Sequence, residues 1–416
     1  IDGDAGDATA TLVQVGGDLT GVISLDDNAG GVTLEMTGTS KTIGQAINGV
    51  GAGEGTLKLS GAGATVSSAV GGTARLAAID VDATATFSGA SEATAYTVDA
   101  DTTFTGAVTA TTGFTVNTSA AVTLSAASDL SLGTITTGTL TADGLLTTSD
   151  LINTAGKVYL NVASNEMGAG RYAAGSGAEL HVGKAFVSGN TITISDDANG
   201  GATDFNAASK IYLPSNLSGG ETLKMTDSGA WDETSGNAGT AATAIDATLQ
   251  DTALVNFTAT ATTGDTDIVI TAVNKTVATI ASELTTTSND ATAALKLMDA
   301  LDANDVSGDT AAYTAFDNAL KAQNGLTAAD DTNLIKQTSP QTDLISGSSV
   351  AAQGVTGSVQ GVMSNRMASL RSGDAYFGTG VSAGGMSAQS GFIQVFGSET
   401  DQDSTKEGQA TQAGYD

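Results

Sequence analysis

The feature that most constrains this 416-residue chain is a run of short segments, between residues 2 and about 223, in which apolar residues alternate with Thr or Ser. Such alternation places apolar side chains on one face of a strand and polar side chains on the other. Gly, Asn and Asp separate the segments, as is typical of tight turns. The segments recur at a loose period of roughly 15 to 25 residues, in the range of self-stacking solenoids. Clear candidates are Val32–Met36, Thr56–Leu59, Ala85–Phe87, Val122–Leu124 and Lys157–Val162.

The residue composition narrows the fold to thin, stacked layers. The chain has 53 Gly, 2 Pro and 4% aromatic residues, yet its hydrophobic content of 40% is too high for a disordered chain. Small side chains cannot fill a thick core, but they can fill the narrow interior of a solenoid. We therefore predict a mainly β fold, a right-handed parallel β-helix, with roughly ten to twelve coils that each rise about 4.8 Å. A pair of β-sandwiches is the alternative, and it would show firmer hairpin signals and more aromatic residues.

Charge and cysteine content exclude several classes of function. With 15 Lys and Arg against 45 Asp and Glu, the formal net charge is −30. Nucleic acid is not an expected partner, because neutralising phosphates requires clustered cations. The chain has no Cys, so it has no disulfide framework, which also suits a chain that passes through a pore. No run of eighteen apolar residues occurs, so no helical membrane span is predicted.

The pattern of predicted elements changes after residue 220, where stronger strands and then helices replace the short alternating segments. Stronger strands are predicted within 222–225, 252–257 and 267–273. Ser288–Asp290 is a candidate N-terminal cap for a helix over 291–301, and further helices are predicted at 309–322 and 328–337. A small acidic helical segment is therefore expected between the strands and the C-terminal part of the chain.

The segment 348–372 is predicted to be a single helix. Apolar residues recur there at steps of three and four, and two Arg lie near its C-terminus, where cations are favoured. Glycines within it suit a helix that threads a narrow space. A short extended run, Gly391–Gly397, follows with aromatic and β-branched residues. The residues that define the helix are Val355, Val359, Val362, Met363, Arg366, Met367, Leu370 and Arg371.

The order of these elements resembles the junction between passenger and barrel in type V autotransporters. The resemblance lies in Asn365–Arg371, then Gly391–Gly397, then Gly414 to Asp416, with Phe392 where the family usually has Trp. It implies a pore-threading helix at 348–372 that uses Val355, Val359, Val362, Arg366, Leu370 and Arg371. It also implies a β-helical passenger at 1–219, terminal autochaperone-like coils at 220–283, the helical segment at 284–347 and the start of an outer-membrane β-barrel at 373–416. Further barrel strands are then expected beyond Asp416.

Catalytic and metal-binding signals are weak. His181 is the single histidine, and it lies in an alternating strand, where a lone histidine is usually structural or exposed. The strongest calcium candidates are Asp302, Asn304, Asp305 and Asp309, but their spacing breaks the EF-hand pattern and also fits a capped acidic loop. We predict no enzyme activity and no cofactor, with weak calcium binding at this loop as the alternative.

These observations predict a structural or adhesive passenger on the surface of a Gram-negative bacterium, as part of a coat, filament or adhesin. Its expected partners are other copies of itself, or the surface of a host or neighbouring cell. The barrel would anchor it in the outer membrane. Two alternatives remain at this stage: a secreted hydrolase carried on a β-helix scaffold, and an adhesin fibre without a barrel.

Overall fold

The computed structural model describes residues 1, 10–27, 31–161, 167–183, 189, 191–193, 206–213, 217, 219–226, 238–262 and 267–303, with 332, 335, 336, 360, 361, 363, 364 and 367. The chain forms two compact units. The first comprises residues 1–280 with 298–327, and the second comprises 281–297 with 328–416.

Short strands dominate the first unit. In chain order they are β1 (Thr11–Val15), β2 (Ile23–Leu25), β3 (Val32–Met36), β4 (Thr42–Ile43), β5 (Ile47–Gly49), β6 (Thr56–Leu59), β7 (Ala64–Val66), β8 (Leu76–Val81), β9 (Ala85–Phe87), β10 (Ser91–Val98), β11 (Thr102–Phe104), β12 (Val108–Val116), β13 (Ala121–Leu124), β14 (Ser128–Ile135), β15 (Thr139–Ala142), β16 (Leu146–Asn153), β17 (Lys157–Leu160), β18 (Met167–Ala174), β19 (Glu179–Val182), β20 (Thr191–Thr193), β21 (Lys210–Tyr212), β22 (Thr222–Thr226), β23 (Leu249–Gln250), β24 (Val255–Ala261) and β25 (Asp267–Asn274).

The strands from β1 to β19, together with β21, build a parallel β-solenoid, which confirms the predicted fold class. The first sheet has the order β1-β3-β6-β8-β10-β12-β14-β16-β18, and the second runs from β4 through β7, β9, β11, β13, β15, β17, β19 and β21 to β23. Each strand pairs in parallel with the equivalent strand of the next turn. The solenoid has about eight turns, which is fewer than the roughly ten to twelve coils predicted from the sequence.

The solenoid core is narrow and is filled by alternate residues of each strand. Leu34 and Met36 of β3 and Leu57 and Leu59 of β6 are at most 1% exposed, and the residues in register with them in later turns are also buried. Four aromatic residues of adjacent strands, Phe87, Tyr96, Phe104 and Phe114, form one cluster in the core, where the rings of Phe87 and Phe104 stack with their centroids 4.7 Å apart. A low aromatic content is therefore enough for this core, because each turn needs only a few inward side chains.

One buried polar residue supports the last turns. Asn153 is fully buried, and its Nδ2 donates to the Glu179 carbonyl at 3.2 Å and to the Tyr172 hydroxyl at 3.3 Å. Its Oδ1 accepts from the Gly156 amide at 2.9 Å. Burial raises the pKa of Tyr172. All polar atoms of the Asn153 side chain thus have partners, as a buried amide requires.

The strands after residue 220 differ from the predicted stack of further coils. β22 and β24 both pair with β25 in antiparallel fashion, and β20 extends this sheet in parallel beside β22. Only residues 262–266 connect β24 to β25. Such a short connection permits a hairpin, whereas a parallel neighbour needs a longer crossover. Helix α1 (Ala238–Thr248) packs on β24.

Two further helices follow, α2 (Val277–Glu283) and α3 (Ser288–Ala303). The N-terminus of α3 is capped by a reciprocal pair. The Asp290 amide donates to Thr287 Oγ1, and the Thr287 amide donates to Asp290 Oδ2, each at 3.2 Å. The cap is therefore Thr287, just ahead of the predicted Ser288–Asp290.

The other predicted helices fall largely outside the described residues. The segment 309–322 lies there entirely. Within 328–337, Thr332, Ile335 and Lys336 are helical, and Thr332 Oγ1 donates to the Leu284 carbonyl at 2.6 Å. Among the described residues, no helix has the length and apolar character needed to cross a bilayer.

Candidate functional site on the outer faces of the solenoid

The outward side chains of the second sheet line up in one column. The strands of the second sheet from β4 to β21 pair in register. One outward residue of each strand therefore lies beside its equivalent in the next turn. The members of the column, in order, are Thr42, Thr65, Thr86, Thr103, Thr123, Thr141, Tyr159, His181 and Tyr212. The column is thus uncharged and hydroxylated for six turns, and aromatic at the far end.

The aromatic end of this column is a stack of three rings. The His181 ring lies between Tyr159 and Tyr212, with centroid distances of 4.3 and 4.5 Å and interplanar angles of 11° and 6°. His181 is 3% exposed. Both faces of the imidazole are covered, so His181 cannot approach a substrate unless the stack opens. The geometry supports the structural interpretation of this histidine.

Charged groups beside the stack hold the His181 ring in place. His181 Nε2 lies 2.9 Å from Glu179 Oε2, and the same oxygen lies 3.1 Å from Lys157 Nζ. Burial acts to raise the pKa of Glu179, but hydrogen bonds from His181 and Lys157 outweigh it, so the pKa is lowered. Burial also raises the pKa of Tyr159, and it raises the pKa of Tyr212 to about 12. Glu179 is thus a carboxylate that the fold keeps ionised.

On the outer face of the first sheet, the polar groups along β1, β3, β6 and β8 satisfy one another. Glu35 accepts hydrogen bonds from Gln14 Nε2 at 2.7 Å and from Ser60 Oγ at 2.6 Å. Both hydrogen bonds lower the pKa of Glu35, and the bond from Ser60 has the larger effect. Lys58 Nζ lies 2.7 Å from Asp80 Oδ2 and 2.6 Å from Asp82 Oδ2. This part of the face is a self-contained charged network.

Part of that network brings three carboxylates together, as a cation site would require. Asp80, Asp82 and Asp99 each offer an oxygen, and these oxygens lie within 4.8 Å of one another. However, the Lys58 ammonium already bridges Asp80 and Asp82, and its hydrogen bond to Asp80 is the main reason its pKa is raised. Asp99 accepts from Asn117 Nδ2 at 2.6 Å. The Lys58 ammonium therefore already occupies the position between Asp80 and Asp82 that a bound cation would take.

The predicted calcium and pore-helix residues cannot be placed at a site. Asp302 falls in the last turn of α3, while the other calcium candidates lie outside the described residues. The six residues that the resemblance assigns to pore threading also lie outside them. Within that predicted helix, Met363 and Met367 are helical and are 59% and 54% exposed. The residues outside the description are Asn304, Asp305, Asp309, Val355, Val359, Val362, Arg366, Leu370 and Arg371.

The stack of Tyr159, His181 and Tyr212 was not predicted from the sequence. The three residues occupy the same place in three strands, but the connections between those strands differ in length. The usable signal was the alternation in each strand, which puts Lys157 and Tyr159, and likewise Glu179 and His181, on one outward face. Aligning the strands by this alternation would have placed the rings together.

Comparison of the chain with known protein families, curated proteins and solved structures finds no match. The likeness to autotransporters thus depends on the junction residues alone.

Proposed function

We propose that this chain is the surface-exposed passenger of an autotransporter-like protein and that it serves as a structural or adhesive rod in a cell-surface coat, filament or adhesin. The observation that carries the proposal is the parallel β-solenoid between residues 11 and 212, in the region that the junction resemblance assigns to the passenger. The proposed location at the cell surface rests on the resemblance of residues 365–416 to an autotransporter junction.

The architecture suits delivery through a pore followed by folding outside. Each turn contacts chiefly the turns next to it, so a solenoid can grow turn by turn as the chain emerges. The chain has no Cys, so no disulfide would need to form or to pass through the pore. Backbone ladders and a thin apolar core hold the fold together.

Surface labelling tests the proposal directly. Residues 1–416 contain no Cys, so a thiol introduced there is the single one in this part of the protein, and the unaltered protein serves as the labelling blank. The whole coding sequence is expressed in a Gram-negative host with Thr86→Cys, an exposed position on β9, and intact cells are treated with a membrane-impermeant maleimide. The matched control is Val98→Cys, at a position that is fully buried.

We expect Thr86→Cys to be labelled on intact cells, and Val98→Cys to be labelled only after denaturation. Labelling of Thr86→Cys only after lysis would refute a surface location. Self-association is tested separately by light scattering of the purified protein with and without calcium. A monomer at high concentration under both conditions would remove coat and filament formation from the proposal.

A further inference from the structure

Two columns of hydroxyl side chains form a regular array on the outer face of the second sheet. Four successive turns each present two of these residues outward, on either side of one inward apolar residue. Pairing in register repeats the array about every 4.8 Å along the solenoid and roughly every 6.6 Å across it. The array consists of Thr65 and Ser67, Thr86 and Ser88, Thr103 and Thr105, and Thr123 and Ser125.

The hydroxyls of this array are free to bind an external partner. Within the described part of the chain, none of the eight side chains forms a hydrogen bond, in contrast to Ser60 on the first sheet, which donates to Glu35. Six of the eight residues are exposed, and the other two, Thr65 and Thr123, are half-buried. Each hydroxyl can donate one hydrogen bond and accept others. The array thus offers unused bonding capacity at fixed positions.

The array is also uncharged, although the chain carries a net charge of −30. Two carboxylates flank the array, and both already accept hydrogen bonds. Asp101, two residues before Thr103, accepts from the Ala121 amide at 2.9 Å, and Asp143, which follows Ser125 in the next turn, accepts from Asn161 Nδ2 at 2.8 Å. An uncharged array within an acidic chain favours an uncharged ligand, because a cation would bind better at the carboxylates elsewhere.

Side-chain stiffness points to a rigid ligand. Five of the eight residues are Thr, whose branched β carbon leaves few rotamers, so holding these side chains in place costs little entropy. An array that repeats in two directions matches a ligand that repeats in two directions, which is the surface of a crystal. Crystalline polysaccharide would favour aromatic platforms, but Phe87 and Phe104 in these turns face the core.

We propose that this hydroxyl array binds the surface of ice. The hydroxyls exchange hydrogen bonds with oxygens of the ice lattice, and the Thr methyl groups fill the spaces between them. Each contact is weak, and adsorption depends on many turns engaging at once. This inference does not depend on a cell-surface location, since the array belongs to the solenoid itself.

Adsorption to ice tests the inference with the purified, fluorescently labelled chain. An ice hemisphere is grown slowly in the protein solution, and the fluorescence taken into the ice is compared with that of a soluble marker protein. The test variant is Thr86→Lys with Thr103→Lys, which places two cations in the middle of the array. The matched control is Thr115→Lys with Thr134→Lys, on the outer face of the first sheet.

We expect the unaltered chain and the Thr115/Thr134 control to be enriched in ice, and the Thr86/Thr103 variant to lose that enrichment. Circular dichroism melting curves show whether each variant is folded, and Thr105→Tyr blocks the second column if the double variant is not. The inference is overturned if the unaltered chain is taken up no better than the marker. It is also overturned if blocking the array leaves uptake unchanged, or if the chain binds microcrystalline cellulose or chitin instead of ice.

Discussion

At the scale of single residues, Glu179 is the clearest link between ionisation and the fold. Its carboxylate joins Lys157 of the preceding turn to His181 of its own strand, and its side chain is 20% exposed. Hydrogen bonds from two cationic or potentially cationic groups favour the ionised form more than burial opposes it. The stack of Tyr159, His181 and Tyr212 thus depends on a charged neighbour that acid can remove.

This arrangement predicts a pH-dependent contribution to stability. The pKa of Glu179 is lower in the folded state, so near its unfolded pKa of about 4.3 the unfolded chain binds more protons. The stabilisation is therefore fully present above that pKa and is lost as the pH falls through the folded pKa. We expect Glu179→Gln to be less stable than the unaltered chain at neutral pH, with the difference shrinking in acid. Urea denaturation of both proteins from about pH 7 to about pH 3 measures it. A difference that stays constant over that range would contradict the prediction.

At the scale of elements, alternation predicts strands well where the inward residues are large. The predicted bounds of β3, β6 and β9 agree with the structure, because Leu34, Leu57 and Phe87 stand out from their Thr and Ser neighbours. β10 and β14 were not predicted, since Ser, Ala and Gly fill many of their positions and blur the alternation. Register and the change to antiparallel pairing depend on connection lengths and distant partners, which local patterns do not contain.

Close packing between successive turns also depends on glycines that the sequence marks only as turn residues. A Cβ atom on Gly106 would overlap the backbone of Gly89 in the preceding turn, and backbone atoms cannot move aside as a flexible side chain could. We expect Gly106→Ala to destabilise the fold by about 1–3 kcal/mol. The matched control is Gly113→Ala, where the nearest atom to a new Cβ is the Leu132 carbonyl oxygen at 4.0 Å.

We expect the control to change the free energy of unfolding by less than about 0.5 kcal/mol, or to stabilise the fold slightly. Urea denaturation of the two variants and the unaltered chain gives both values. Equal effects of Gly106→Ala and Gly113→Ala would show that the contact between turns does not limit the packing.

At the scale of the whole molecule, the imbalance of 45 acidic against 15 basic side chains sets how the chain responds to salt. Ion pairs in the described residues are few, and the main ones involve Lys58 and Lys157, whose side chains are 28% and 37% exposed. Such partly exposed pairs each contribute about 1 kcal/mol at most. Repulsion among the unpaired carboxylates acts over the whole chain and opposes the compact state.

Salt screens both the ion pairs and the repulsion, so the sign of its effect shows which is larger. With three acidic side chains for each basic one, we expect repulsion to dominate and added salt to stabilise the fold. The urea midpoint should therefore rise between about 0.01 M and about 1 M NaCl, where the screening length falls from roughly 30 Å to roughly 3 Å. Urea is the suitable denaturant because it is uncharged. Sucrose at matched osmolality controls for a general solvent effect. A midpoint that falls with salt would mean that the ion pairs at Lys58 and Lys157 contribute more than the repulsion costs.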